Sequence, residues 1–284
     1  MNEVNKKDSE KKESRIASLW ALAEKITDKL MSDSRVESVW VFGSLARGEA
    51  DEFSDLDMAA LIEKSRFSEF MQESREDKWA SLGAEGWMDK WGDKFITKDI
   101  PFSVDYLTLD RISTCGWDEL EQVECVLAGI VHSKAMYDPK GALKRLKKRF
   151  SVYPEQLRRR RIVQLDDDIA MYAYLAEIEI RRKDYVKASY FLRDATRQLA
   201  YLLFPLNGRY LVSKRNILDR VTDLSNVPNG FSDLLLSVLF DLKPDESTMN
   251  SASKSVTQML QYLQKNFDYL KFRKEFPIWA SKKP

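Results

Sequence analysis

The sequence predicts an α/β (α+β) protein, a small mixed-sheet domain followed by an all-α helical bundle. Alternating β-branched and aromatic runs occur only in the first half, at Val36–Phe42, 57–62 and 102–109. Every apolar pattern after Gly141 instead has helical spacing. A chain of 284 residues also has room for about two domains, each with its own core.

Residues 1–14, MNEVNKKDSEKKES, lack an apolar stretch that could form a signal-peptide core and read as a loose charged tail. From 16 to 31, Ile16, Leu19, Trp20, Ala23, Ile26 and Leu30 recur at helical spacing and predict an amphipathic helix. The period then changes to two. Val36–Phe42 (VESVWVF) predicts a strand ending at Gly43, and 57–62 (DMAALI) a second one paired with it. A helix over 66–82 and a connection holding Gly83, Gly86, Trp87, Trp91 and Gly92 lead to a third strand, FSVDYLTL, at 102–109. A helix over 117–130 and a short strand at 134–138 complete a first domain of residues 15–140, with Pro139 and Gly141 marking its end. The second domain, 141–284, is predicted as helices at Ala142–Phe150, 154–182, 185–204, 214–224, 231–242 and 247–272. In the third of these, Tyr185, Ala188, Phe191, Leu192, Ala195, Leu199 and Leu202 make one apolar face.

Composition narrows the chemistry. Lys and Arg number 46 against 45 Asp and Glu, so a generally basic nucleic-acid binder is not expected. His132 is the only histidine and Cys115 and Cys125 the only cysteines, so a zinc cluster, a disulfide framework and a Ser-His-Asp triad all lack parts. No apolar run approaches the ~18 residues of a membrane span. A cytoplasmic location with reduced thiols is the expectation. Any chemistry falls to carboxylates and cations.

One segment, VWVFGSLARGEADEFSDLDMAAL, carries that chemistry. Its first strand ends at Gly43-Ser44, and Asp55-Leu56-Asp57 opens the next. Side chains two apart share a strand face, so Asp55 and Asp57 stand side by side. Two carboxylates 4 Å apart repel by roughly 4 kcal/mol at an effective dielectric of 20, so such a pair holds a cation or shares a proton, and a hard divalent metal is the economical answer. Asp105 lies mid-strand on the face of Ser103 and Leu107, and burying it alone is costly. If its strand neighbours that of Asp57, all three carboxylates converge on one metal site, and Gly43-Ser44 offers backbone N–H groups to a phosphate. That is the layout of a phosphoryl or nucleotidyl transfer site.

The Gly-Ser, the Asp-x-Asp and the third Asp resemble the nucleotidyltransferase superfamily of the DNA polymerase β type. GSLARGEADEFSDLD is similar to its minimal and antibiotic-modifying bacterial branches, and a helical domain behind the catalytic one looks like the aminoglycoside and lincosamide adenylyltransferases. The resemblance implies Asp55, Asp57 and Asp105 as metal ligands and catalytic residues for two Mg2+ ions. Asp105 is also the candidate to take the attacking hydroxyl's proton. It implies ATP or another nucleoside triphosphate as donor, bound through Gly43, Ser44 and Arg47. Within LRDATRQLAYLLFPLNGRYLVSKR, Arg193 and Lys214 are expected at the β- and γ-phosphates and Tyr210 against the nucleotide, with Tyr210 and Lys214 on one helical face.

The expected reaction moves a nucleoside monophosphate, AMP from ATP, to a hydroxyl and releases pyrophosphate. The acceptor is expected to be a small molecule, an antibiotic among the candidates, ahead of a protein side chain as in a toxin–antitoxin partner or AMPylation target. Neither membrane nor nucleic acid is expected as a partner. A fused helical ribonuclease with an Arg and a nearby His is excluded, because His132 has no such Arg beside it. A non-catalytic nucleotide-binding module is the remaining alternative. The basic run Arg158 to Arg161 reads as a solvated, ion-paired helix face, Trp79, Trp87 and Trp91 as core, and at least one of Asp166, Asp167 and Asp168 as solvated.

Overall fold

The computed structural model describes residues 2–73, 79–88, 92–114, 120–215 and 217–276. They form two compact units, residues 1–117 with 125–151, and 118–124 with 152–284. The predicted helix start at Trp117, and the roles suggested for Trp91 and Cys115, lie outside the described residues.

The first unit opens with helix α1 (Asn2–Met31), which runs back through the segment read as a loose tail. That segment is rich in Lys and Glu, which favour helix without needing a core. Strand β1 (Val36–Phe42) leads into the short helix α2 (Gly43–Arg47), then β2 (Leu56–Ile62) and helix α3 (Phe67–Gln72). Strands β3 (Glu85–Met88), β4 (Gly92–Thr97) and β5 (Ile100–Leu107) follow, then helices α4 (Leu109–Thr114) and α5 (Leu120–Val131), β6 (Lys134–Tyr137) and helix α6 (Ala142–Phe150).

The six strands form one mixed sheet in the order β3-β4-β5-β2-β1-β6. Only β2 and β5 pair in parallel. The helix expected over 66–82 is shorter, with α3 ending at Gln72, and the connection behind it holds the paired strands β3 and β4. Their alternation is hidden because an inward position of β4 is Asp93, fully buried, where it accepts from Trp79 Nε1 at 2.8 Å and from the Tyr106 hydroxyl. The outward Ile96 is half-exposed.

The two faces of the sheet differ. Val39, Val41, Met58, Ala60, Phe102, Val104 and Tyr106 point to one face, where they pack with Leu19, Leu22, Ala23, Ile26 and Leu30 of α1. Strand alternation sends Trp40, Phe42, Asp57, Ala59, Ser103, Asp105 and Leu107 to the other. Asp57 of β2 and Ser103 and Asp105 of β5 therefore gather on the face away from α1.

The second unit is helical. Helices α7 (Glu155–Arg181) and α8 (Tyr185–Leu206) are joined by a tight turn through Lys183, at φ +61°, and α8 is capped by Asp184 accepting from the Lys187 N–H at 3.1 Å. Helices α9 (Ile217–Thr222), α10 (Phe231–Phe240) and α11 (Glu246–Phe267) follow. Ala188, Leu192, Ala195, Leu199 and Leu202 of α8 lie at the centre of the core, as the apolar face required.

Candidate active site

Gly43 ends β1 in the left-handed region, at φ +71°, and a Cβ there would lie 2.2 Å from Asp57 Oδ2. Two independent constraints therefore demand glycine, the backbone conformation and the close approach of a carboxylate. The antiparallel register that makes Phe42 and Asp57 partners brings the two together. Ser44 follows in the first turn of α2, where N–H groups have no intrahelical acceptor. The turn closes as the Glu49 N–H donates to the Ser44 carbonyl at 2.9 Å, and Arg47 Nε donates to Glu49 at 2.9 Å.

The loop between α2 and β2 is built rather than merely solvated. Ser54 Oγ donates to Asp51 Oδ1 at 2.7 Å and accepts from the Asp51 N–H at 2.9 Å. From α1, Arg15 Nε and Nη2 both donate to the Ser54 carbonyl, at 3.0 and 2.8 Å, while Nη1 donates to the Asp99 carbonyl at 3.2 Å. The residue so clamped directly precedes Asp55. Arg15 belongs to no motif and carries no signal in the sequence, whereas the Asp51 and Ser54 spacing is a turn signal that can be read. Ser103, which donates to Asp57 Oδ1 at 3.3 Å, completes the surroundings of the second carboxylate.

Asp55, Asp57 and Asp105 are all partly exposed. Ser103 is the parallel partner of Asp57, and Asp105 stands one step further along, opposite Ala59. That step is about 6.6 Å along a strand. Among the described residues no group of three His, Cys, Asp or Glu side chains is gathered closely enough to hold a metal ion. Asp105 also lines a cleft with Trp40, Phe42, Ala59, Leu107 and residues of α5.

The residues expected at the nucleotide from the helical half lie in the second unit, each with a partner there. Arg193 Nε donates to the Val238 carbonyl at 3.4 Å. Tyr210 is buried with its ring centroid 4.3 Å from that of Tyr153. Lys214 pairs with Glu121 and sits 5.6 Å over the Tyr201 ring. Residues 209–213 are not helical, so Tyr210 and Lys214 do not share a helix face. Arg158 and Arg159 pair with Glu155, which they hold down to about 2, and the buried Arg161 pairs with Glu124. Asp166 is fully buried under Tyr269, Gln264 and Arg273, and Arg273 also reaches Asp167 at 2.7 Å. Trp79 is core, whereas Trp87, at a sheet edge, is 61% exposed.

Residues 24–83, which contain Gly43, Ser44, Asp55 and Asp57, match the family model described as Polymerase beta, Nucleotidyltransferase. The chain carries a nucleotidyltransferase domain of the polymerase β superfamily. Residues 117–214 match a domain of unknown function, DUF4037. The crystal structure of a nucleotidyltransferase-like protein from Exiguobacterium sibiricum 255-15 is similar in fold over 89% of this chain and 80% of its own, at 12% identity and a TM-score of 0.55. Looser likenesses are to Cid1 in complex with a UTP analogue (15% identity, 79% and 64% covered, TM-score 0.32) and to a cytoplasmic RNA terminal U-transferase (12%, 94% and 89%, 0.30). No curated protein matches the sequence. Among the described residues no helix is long and apolar enough to cross a membrane.

Proposed function

We propose that the protein is a metal-dependent nucleotidyltransferase that moves AMP from ATP to a hydroxyl of a small molecule, releasing pyrophosphate. The observation that carries this reading is the seating of the Asp57 carboxylate on the bare backbone of Gly43, beside the start of α2. Hard oxygen donors on two residues suit Mg2+, which is commonly held by one or two carboxylates together with substrate phosphates. Asp55 and Asp57 would hold it, and when bound it would neutralise charge on the phosphates.

The chain's own residues do the rest. Gly43 leaves the backbone open to a phosphate, and Ser44 adds its N–H and hydroxyl. Ser103 orients Asp57 through its hydrogen bond. Asp105, one step away on the same face, would accept the proton of an acceptor hydroxyl. Arg47 is the nearby cation of the motif, and its pairing with Glu49 fixes where it points. Arg193, Tyr210 and Lys214 have structural partners in the second unit, and the reading rests on the first unit alone.

The test is Mg2+-dependent transfer from ATP radiolabelled at the α-phosphate, with acceptors offered as pure alcohols and as cell extract. Label reaching a small-molecule fraction in the wild type and not in Asp57→Asn supports the reading. Equal transfer by that variant removes the assignment.

A further inference from the structure

The cleft beside Asp105 is lined by Trp40, Phe42, Ala59 and Leu107 of the sheet and by Cys125, Val126, Gly129 and Ile130 of α5. Among the described residues that line it, Asp105 is the one charged side chain. We propose that this cleft binds the acceptor, and that the acceptor is an alcohol or phenol whose hydroxyl hangs from an apolar frame about one ring in size. The inference rests on the reading above and names its substrate class.

Three features support it. The cleft is continuous with the site, because Phe42 directly precedes Gly43 and pairs with Asp57, and Ala59 pairs with Asp105. Its volume is about 90 Å³ and it is open on one side, which suits the inner part of a single ring; an enclosed apolar cavity of about 150 Å³ holds a whole benzene. The third feature is Gly129. Glycine inside a helix costs about 1 kcal/mol relative to alanine. A Cβ at Gly129 would lie 3.4 Å from Phe42 Cδ2, a contact the packing tolerates, so the helix does not need glycine to approach the sheet. What the missing side chain leaves is space in the cleft.

The lining also selects against other occupants. A nucleobase carries ring nitrogens and exocyclic groups that need several partners, and the lining side chains with polar groups are Asp105, Cys125 and the Trp40 indole, too few for its donors and acceptors together. A polyhydroxylated or polycationic acceptor would lose its hydration against apolar side chains. With an apolar ring seated in the cleft, its hydroxyl reaches Asp105. The hydroxyl oxygen then bonds to the α-phosphorus of ATP as the bond to the β-phosphate oxygen breaks. Pyrophosphate leaves with that electron pair, and the hydroxyl proton passes to the Asp105 carboxylate.

The experiment uses the full chain, with benzyl alcohol as the probe and glycerol as the polar comparison. Cys125 is exposed at the cleft, so its alkylation by iodoacetamide, read by peptide mass spectrometry, reports occupancy without any reaction. Benzyl alcohol is expected to slow that alkylation several-fold while glycerol does not. With Mg2+ and labelled ATP, transfer to benzyl alcohol is expected to exceed transfer to glycerol at least tenfold. Cys125→Trp should raise the half-saturating benzyl alcohol about tenfold, and Gly129→Leu should do the same from the opposite wall. Transfer to glycerol without protection of Cys125 overturns the cleft assignment and leaves the enzyme reading standing. Protection without transfer to any alcohol removes the reaction, and with it the acceptor role.

Discussion

Gly43 and Gly48 separate strain from function at the scale of single residues. Both adopt left-handed backbone, at φ +71° and +77°, but a Cβ at Gly48 would meet nothing within 4 Å whereas one at Gly43 would strike Asp57. Alanine at either position should therefore cost about 1–2 kcal/mol of stability, measured by urea unfolding. Only Gly43→Ala should also raise the Mg2+ concentration needed for half-maximal transfer, by an expected tenfold or more. A matching rise in Gly48→Ala would mean that Asp57 is not positioned by this contact. Gly-Ser and Asp-x-Asp were legible because each is a short local pattern. The depth of Asp105 was not, because it depends on the register of β2 with β5, and a period of two reveals the face of a strand but not its offset.

At the scale of elements, the helix least marked by motifs reaches the site. Arg15 on α1 ties the Ser54 carbonyl to that of Asp99, joining the loop before Asp55 to the turn between β4 and β5. Arg15→Ala should lower turnover and raise the Mg2+ requirement several-fold while leaving the melting temperature within a few degrees, and free guanidinium should restore part of the loss. An unchanged Mg2+ dependence would make the clamp purely structural. Another element depends on a remote carboxylate. Asp138 accepts from the Leu143 and Lys144 N–H groups at the start of α6, both at 3.1 Å, and from the Ser38 hydroxyl. Burial alone would raise its pKa, but the Ser38 hydroxyl and the N–H groups of Lys144, Leu143 and Ala142 hold it below the ordinary value. A carboxyl depressed in the folded state contributes stability above its unfolded pKa of ~3.9 and loses it as pH falls through the folded value. Asp138→Asn should thus lower stability near neutrality by about 1 kcal/mol and flatten its decline below about pH 4, as measured by urea midpoints against pH. Strands β1 and β6 and helix α6 were readable from local periodicity. Strands β3 and β4 were not, since an inward Asp93 breaks the apolar alternation that marks a strand.

At the scale of the whole molecule, the chain passes between its compact units inside a single helix. Residues 118–124 belong with 152–284, while the rest of α5 from Cys125 belongs with the sheet. No pattern in the sequence marks this, because helical periodicity shows which face is apolar and not which body covers each turn. The ionic partners show why the first turn is held. Glu124, buried, accepts from Arg161 Nε at 3.1 Å, from the Tyr153 hydroxyl at 3.1 Å and from the Leu211 N–H at 3.2 Å. Burial pushes its carboxyl above the usual range in spite of these donors, so the pair is one whose desolvation opposes its attraction. Removing one member should then be far worse than removing both. Glu124→Leu is expected to cost about 3 kcal/mol in urea unfolding, because the buried Arg161 guanidinium keeps only its longer ion pair with Glu121, at 3.6 Å, and its bond to Gln164. Adding Arg161→Met should recover most of that loss. Residues 152–284 expressed alone lack Glu124 and should be destabilised likewise, with Arg161→Met restoring them. If Glu124→Leu alone is as stable as the wild type, the start of α5 contributes nothing to the stability of the helical unit.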